Sequence, residues 1–330
     1  MNDLVDKDGA IRFGLYPKEI GSVNYQDYRL LTPMGLPVPD RLKKILFNQF
    51  IFIGIIGPEY ILGLAVIDLK YLSSGFLYVY DRARKNVWET KKISLLNWEA
   101  HIDPRPDKTA ARFKSRKLNI LMYEGNFTAW GKGIGIDAKL DLPSTRPLRI
   151  CTRAGYRGWV YKQSTTPVPV SGRLRYRGRV VDMSPDSHLA LIDWTAGFMR
   201  RETFWNWAAT AARLPDGRTL GFNFSCGVNE TSFTENYFLL DGRMTKVDTV
   251  DFIFDQRRLY RTWRIVSHDR KVDLLFIPQG HRSDRVNVLA VASRFTQLLG
   301  AFEGILTTDR GEKVKFDGLP GWAEDHYAKW

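Results

Sequence analysis

Cysteine is almost missing from this chain: Cys151 and Cys226 are the only two in 330 residues. Two cysteines exclude a disulfide framework, and no Cys-x-x-Cys pair or Cys/His cluster offers structural zinc. Histidine is nearly as sparse. His101, His188, His268, His281 and His326 lie far apart in sequence, so nothing points to a metal centre. No glycine-rich strand-to-helix turn suggests a nucleotide and no Gly-x-Ser-x-Gly elbow suggests a hydrolase, so no cofactor is expected. The opening residues MNDLVDKDGAIRFG lack the apolar core of a signal peptide. A reduced, cytoplasmic setting is the expectation.

A long uninterrupted apolar run is also lacking. Residues 45–69, ILFNQFIFIGIIGPEYILGLAVIDL, come nearest, but Asn48, Gln49, Pro58, Glu59 and Asp68 break them. A spanning helix needs about 20 predominantly apolar residues. Two buried strands around a turn at Gly57–Pro58 fit better, so no transmembrane segment is expected.

Positive charge, by contrast, is plentiful at +13. Residues 1–170 hold 26 Lys and Arg against 16 Asp and Glu, and residues 171–330 hold 23 against 20. The excess is scattered over the first half, with no helix-turn-helix, zinc-finger or RNA-recognition signature, so no specific nucleic-acid partner is expected. A solvated basic surface is the plain reading; peripheral contact with an anionic membrane through the first half is the functional one.

Residues 1–42 read as loop, since MGLPVPD cannot carry a helix past its prolines. Short apolar runs separated by turn residues follow from residue 42 to the C-terminus. Phe76, Tyr78 and Tyr80 alternate with Leu77 and Val79, and 81–86 supplies a turn, which is hairpin grammar. Asp216–Gly217 and Asp241–Gly242 are tight-turn signals. TTPVPVSG, 165–172, reads as a linker or crossover. Arg173, Arg175, Arg177 and Arg179 share one face of a strand, either as an anion-binding strip or as an edge that deters pairing. The fold class is all-β, with little helix beyond a short piece around 203–212, where the alanines permit one.

The densest aromatic and cationic stretch is DWTAGFMRRETFWNWAATAA, 193–212. If Trp205–Asn206–Trp207 is extended, the two indoles share a face and Asn206 points away. Indoles bury large areas yet need an N–H partner, so the stretch reads as the wall of a central cavity.

From this stretch onward the residues resemble a known family. DWTAG…RRETFWNWA is followed by GFNF (221–224), ENYFLLDGR (235–243), WRIVSHDRKVDLLFIP (263–278), QLLGAFEG (297–304) and GLPGWAEDHYAKW (318–330). Together they look like the domain of unknown function 2804 family, most strongly over 170–330. The resemblance implies kinship with the calycin-like group that includes carotenoid hydratase and AttH proteins, built from two lipocalin-like barrels around an apolar ligand site. It therefore implies two lipocalin-like antiparallel barrels or curved sheets packed together and meeting at the aromatic stretch. The expected division is an extended segment 1–42, a first lipocalin-like domain 43–165 and a second 171–330. No chemistry transfers with it.

Candidate catalytic residues are Glu235, Glu324 and His326. Glu324 and His326 share one face of an extended segment, and a carboxylate beside an imidazole orients it and raises its pKa. Tying the C-terminus to the barrel wall is the structural alternative for that pair. Candidate ligand-binding residues are Asp193, Trp194, Arg200, Arg201, Trp205, Asn206, Trp207, Asn223 and Asn236. The expected function is binding of a hydrophobic small molecule of lipid or isoprenoid type. The alternative is a cofactor-independent hydratase, isomerase or cyclase acting on one, with the indoles stabilising developing cations. A third reading is a carbohydrate-active enzyme using two carboxylates.

Overall fold

The computed structural model describes residues 2–95, 98–228, 233–288 and 291–329. Among these residues nearly all regular structure is extended, in two curled antiparallel half-barrel sheets packed together.

The larger sheet has fourteen described strands. It begins with Asn86–Leu95, Leu72–Asp81, Tyr60–Asp68 and Asn48–Ile56, passes through Leu189–Phe198 and Gly158–Tyr176, and continues to Ala100–Ile102. The apolar run 45–69 forms the pair Asn48–Ile56 and Tyr60–Asp68, whose turn is closed by the Gly57 N–H donating to the Tyr60 carbonyl at 3.0 Å. Its lack of polar alternation has a physical cause: both faces are buried. Ile51, Ile53, Leu62 and Leu64 face the interior of the curl, while Phe52, Ile61 and Ala65 face the other sheet. A strand covered on both sides reads as continuous apolar sequence, which is why it resembles a membrane span. The irregular N-terminal segment covers the same interior with Leu4, Ile20, Val23 and Leu30. No helix among the described residues is long and apolar enough to cross a membrane.

Two local expectations are corrected. Residues 165–172 are not a linker but the middle of the long strand Gly158–Tyr176. On one flank that strand pairs with Leu148–Ala154 up to Ser164 and with Ile134–Leu140 from Val170 onward. Pro167 and Pro169 fall where it changes partner, and its other flank shifts register between Thr165 and Val168. Prolines are tolerated at such breaks because no ladder donor is required of them. Residues 203–212 are not helical either; they lie in the strand Glu202–Arg213, paired on both sides. Helix propensity of alanine is a weak prior that tertiary packing overrides. The described α-helix is Asp40–Leu46, which starts directly after Pro39.

The smaller sheet has nine described strands, with Glu202–Arg213, Lys313–Lys329, Val291–Thr307 and Val272–Val288 at its centre. Asp241 and Gly242 both adopt positive φ between Tyr237–Leu240 and Arg243–Lys246, as the tight turn demands. Phe222, Phe224, Trp263, Phe276 and Phe302 fill its own core. A third cluster joins the sheets across their outer faces: Phe52, Tyr78 and Leu191 from the larger meet Trp207, Leu299 and Trp322 from the smaller. At this seam Gly54 is required by close approach, because a Cβ there would sit 2.7 Å from the Trp322 ring. The aromatic stretch 193–212 crosses from the last strand of one sheet to the first of the other.

Candidate functional site

Register across the smaller sheet sets the layout of the seam. Arg282 pairs with Gln297, Gln297 with Glu324, Glu324 with Trp207 and Trp207 with Ser225. One row thus runs over five strands on a single face. The neighbouring row is Asp284, Phe295, His326 and Trp205. Successive side chains alternate between faces, so Glu324 and His326 point the same way, as their spacing predicts.

At one end, Glu324 accepts from the Trp205 indole N–H at 2.9 Å and from the Gln297 amide at 3.1 Å. Gln297 in turn accepts from the Tyr78 hydroxyl at 2.7 Å, and Tyr78 accepts from the Trp322 indole N–H at 2.7 Å. Burial pushes the Tyr78 hydroxyl well above its usual range, so it acts as a neutral donor. His326 Nδ1 stands 3.7 Å from Glu324 Oε1 and has no hydrogen-bond partner, while Nε2 lies 3.0 Å from the Ser293 hydroxyl. The imidazole is flanked by Trp205, with ring centroids 4.0 Å apart, and by Phe295 at 4.9 Å. Arg282, from the same face, is buried against Phe76 and Tyr78 and donates to Glu89.

At the other end, Lys162 lies between two carboxylates, Asp193 Oδ2 and Glu235 Oε1, each at 2.8 Å. Asp193 also accepts from Thr195 at 3.0 Å, and Glu235 accepts from Ser225 at 2.5 Å. All three charged groups are buried. Burial alone would lower the Lys162 ammonium, but the two carboxylates outweigh it and hold it above the ordinary lysine range. Burial pushes Asp193 up despite its lysine partner. Lys246 secures this end by donating to the Thr234 and Asn236 carbonyls at 2.6 and 2.7 Å; burial pushes its ammonium down to about 8.

Two of the three candidate acid–base residues, Glu324 and His326, therefore come together, and Glu235 lies in the Lys162 cluster. Trp205 and Trp207 share the seam face and Asn206 turns away to Asp325, 3.1 Å from its amide. Trp207 donates to Asn223 at 2.9 Å, and the Asn223 amide donates to the Glu235 carbonyl. Asn236 accepts from the Ser225 N–H and donates to the Asp248 carbonyl. Asp193 is on the seam, but Trp194, one residue on, faces the interior of the larger sheet beside Tyr161. Arg200 donates to the Gly227 carbonyl at 3.0 Å and Arg201 is exposed. Glu235 and Glu324 are held by different partners, with Trp207 occupying the row position between the latter and Ser225. Among the described residues no group of three His, Cys, Asp or Glu is placed to hold a metal ion.

Sequence reasoning missed Lys162 and Arg282. Lys162 did carry a signal, being the lone charge in the apolar run GWVYKQSTTPVPV. Arg282 sits in QGHRSDR, which reads as surface. The arginine strip leads into a hairpin whose second strand, Arg179–Met183, pairs among the described residues only with Gly158–Tyr176. A hollow of about 650 Å³ opens beside it, lined by residues such as Trp130, Asp137 and Arg175, and none of the candidate site residues lines it.

The chain belongs to the family described as "Domain of unknown function (DUF2804)", which matches residues 1–330. The likeness seen most clearly over 170–330 thus extends over the whole length. No curated protein matches it. Three solved structures share the fold. An AttH candidate from Nitrosomonas europaea has a TM-score of 0.51 at 15% identity, covering 86% of this chain and 92% of that one. Kievitone hydratase from Nectria haematococca has a TM-score of 0.51 at 8% identity, covering 85% and 88%. CghA, solved with Sch210972, has a TM-score of 0.57 at 9% identity, covering 100% and 97%. At such identities the likeness concerns the fold alone.

Proposed function

We propose that this DUF2804 protein binds an apolar small molecule at the seam between its sheets, and that Glu324 and His326 move a proton on it without a cofactor. The reaction class is hydration, isomerisation or cyclisation of an unsaturated substrate. One observation carries the reading: the 3.7 Å approach of Glu324 to a His326 nitrogen that has no hydrogen-bond partner, between the rings of Trp205 and Phe295. For a double-bond shift, one group takes a proton from one carbon while the other delivers a proton to a second carbon. An acid and a base held within reach of each other beside apolar walls suffice for this. Indole rings also favour a developing positive charge. Similarity in fold to a protein named as a hydratase supports the same class. The apolar wall of Phe52, Phe76 and Trp322 equally suits a carrier that returns its ligand unchanged.

The test incubates the protein in D2O with an extract of apolar metabolites from its source, followed by mass spectrometry of bound and free compounds. The expected result is a compound that gains deuterium or the mass of water with the wild type but not with Glu324→Gln or His326→Ala. Compounds bound but returned unchanged would establish the carrier instead. No compound retained or altered would remove both.

A further inference from the structure

Arg282 is 7% exposed, which is costly for a charged group unless its donors are used. Nε and Nη2 donate to Glu89 on the larger sheet, and the guanidinium carbon lies 4.0 Å from the Phe76 ring centroid and 5.0 Å from that of Phe295. Nη1 is buried and has no partner. His326 Nδ1 is the second buried atom without one on this face, and the Phe295 ring lies beside both groups. Two unsatisfied polar atoms, one a cationic donor, thus border the same aromatic side chain. An unmade hydrogen bond at a buried charged donor is a lasting penalty that an incoming acceptor relieves.

Charge decides which acceptor fits. Glu89 already balances Arg282, and Glu324 lies two strands away in the same row. A carboxylate or phosphate ligand would add a further anion to a site already neutralised. A neutral acceptor carries no such cost. On the reading that the seam is the ligand site, we infer that the substrate carries a carbonyl oxygen, as a ketone, an enone or an acyl group, which accepts from Arg282 Nη1. The arrangement then acquires a direction. Polarising the carbonyl acidifies the adjacent carbon. Glu324 takes that proton, the C–H electron pair moves into the enolate, and the negative charge collects on the oxygen held by Arg282. His326, acting from its protonated form, gives a proton to a second carbon of the conjugated system, and transfer of the captured proton from Glu324 to His326 restores both groups. No oxidant or second substrate is needed.

The test uses a matched pair of probes, 2-acetylnaphthalene and 2-ethylnaphthalene, which differ in a carbonyl against a methylene. Their binding to the full-length protein is followed by titration calorimetry. One hydrogen bond from a charged donor corresponds to about a 10-fold preference or more for the ketone in the wild type. In Arg282→Met the ketone and the hydrocarbon should bind equally, with hydrocarbon affinity kept. The double variant Arg282→Met/Glu89→Gln gives the same readout without leaving Glu89 unpaired, should the single variant fail to fold. The stretching frequency of a 13C-labelled carbonyl should fall on binding to the wild type and stay put in the variants. Equal binding of both probes by the wild type, or a ketone preference that survives in the double variant, overturns this inference while leaving an apolar seam site in place. Failure to bind either probe overturns the seam site and the inference together.

Discussion

At one end of the seam Lys162 has a carboxylate on each side, and each carboxylate takes a second bond from a hydroxyl. At the other end Arg282 and His326 each keep one buried nitrogen unused. Both regions bury ionisable groups on the same sheet-to-sheet surface, yet only the first satisfies them internally. On the proposed function, the difference separates a fastening from a site. A buried charge whose partners are all protein holds strands together, whereas one with a vacant hydrogen-bond position has a use for a partner that is not protein.

The comparison breaks most readily at Lys162. Replacing it with Met leaves Asp193 and Glu235 facing each other without a cation, and removing one partner of a buried ion pair costs about 3–5 kcal/mol. Denaturant unfolding of Lys162→Met should register this loss, and adding Asp193→Asn with Glu235→Gln should recover much of it. Glu324→Gln in the same assay should cost only about 1 kcal/mol, as for a typical lost hydrogen bond, while abolishing turnover. A large stability loss from Glu324→Gln would make that end a fastening too.

The seam itself gives an intermediate effect. In Gly54→Ala the new methyl carbon meets the Trp322 ring at 2.7 Å, and overpacking of this kind costs about 1–3 kcal/mol. The same unfolding assay should report it, together with a changed tryptophan emission as the sheets adjust. Unaltered stability and emission would mean that the sheets are less tightly apposed than the aromatic contacts imply.

The smallest effect is a slope against pH. Lys246 has its ammonium pushed down to about 8 by burial, below the unfolded value near 10.4. Between those values the unfolded chain holds more protons, so the Lys246 contribution makes stability rise with pH there, and Lys246→Met should flatten that rise. Lys162 runs the other way: held above its ordinary value, it contributes stability that is present below the unfolded pKa and lost as pH rises past it. Unfolding free energies of wild type and Lys246→Met, compared from roughly pH 7.5 to 10.5, measure the slope. Identical slopes would show that Lys246 titrates like a solvated lysine.

Much of this architecture was legible from the residues. Period-two alternation located the hairpin of Leu72–Asp81 and Asn86–Leu95, and Asp241–Gly242 marked a second turn, between Tyr237–Leu240 and Arg243–Lys246. The same period placed Glu324 with His326 on one face. What failed were local propensities that long-range pairing overrides. Alanines at 208–212 suit a helix until strand partners claim their backbone, on both sides at Ala208 and Ala209, and Pro167 with Pro169 suggests a linker unless the strand is seen to change partner there. Arg282 and Lys162 escaped notice for a related reason. Their roles depend on Glu89 and Glu235, which lie 193 and 73 residues away. No spacing rule reaches that far.

Trp322 meets Tyr78 across 244 residues of chain, and the strand that carries Trp322 also carries Glu324 and His326. During synthesis the larger sheet has all its described strands once Phe198 is made, but its outer aromatic face is fully covered only when Trp207, Leu299 and, last, Trp322 of the smaller sheet have packed against it. Contacts of such separation form late, since loop closure must precede them. A chain stopped before Lys313 would therefore leave part of that aromatic face exposed and would lack Glu324 and His326, so on the proposed function the strand that closes the seam also supplies its proton-moving pair.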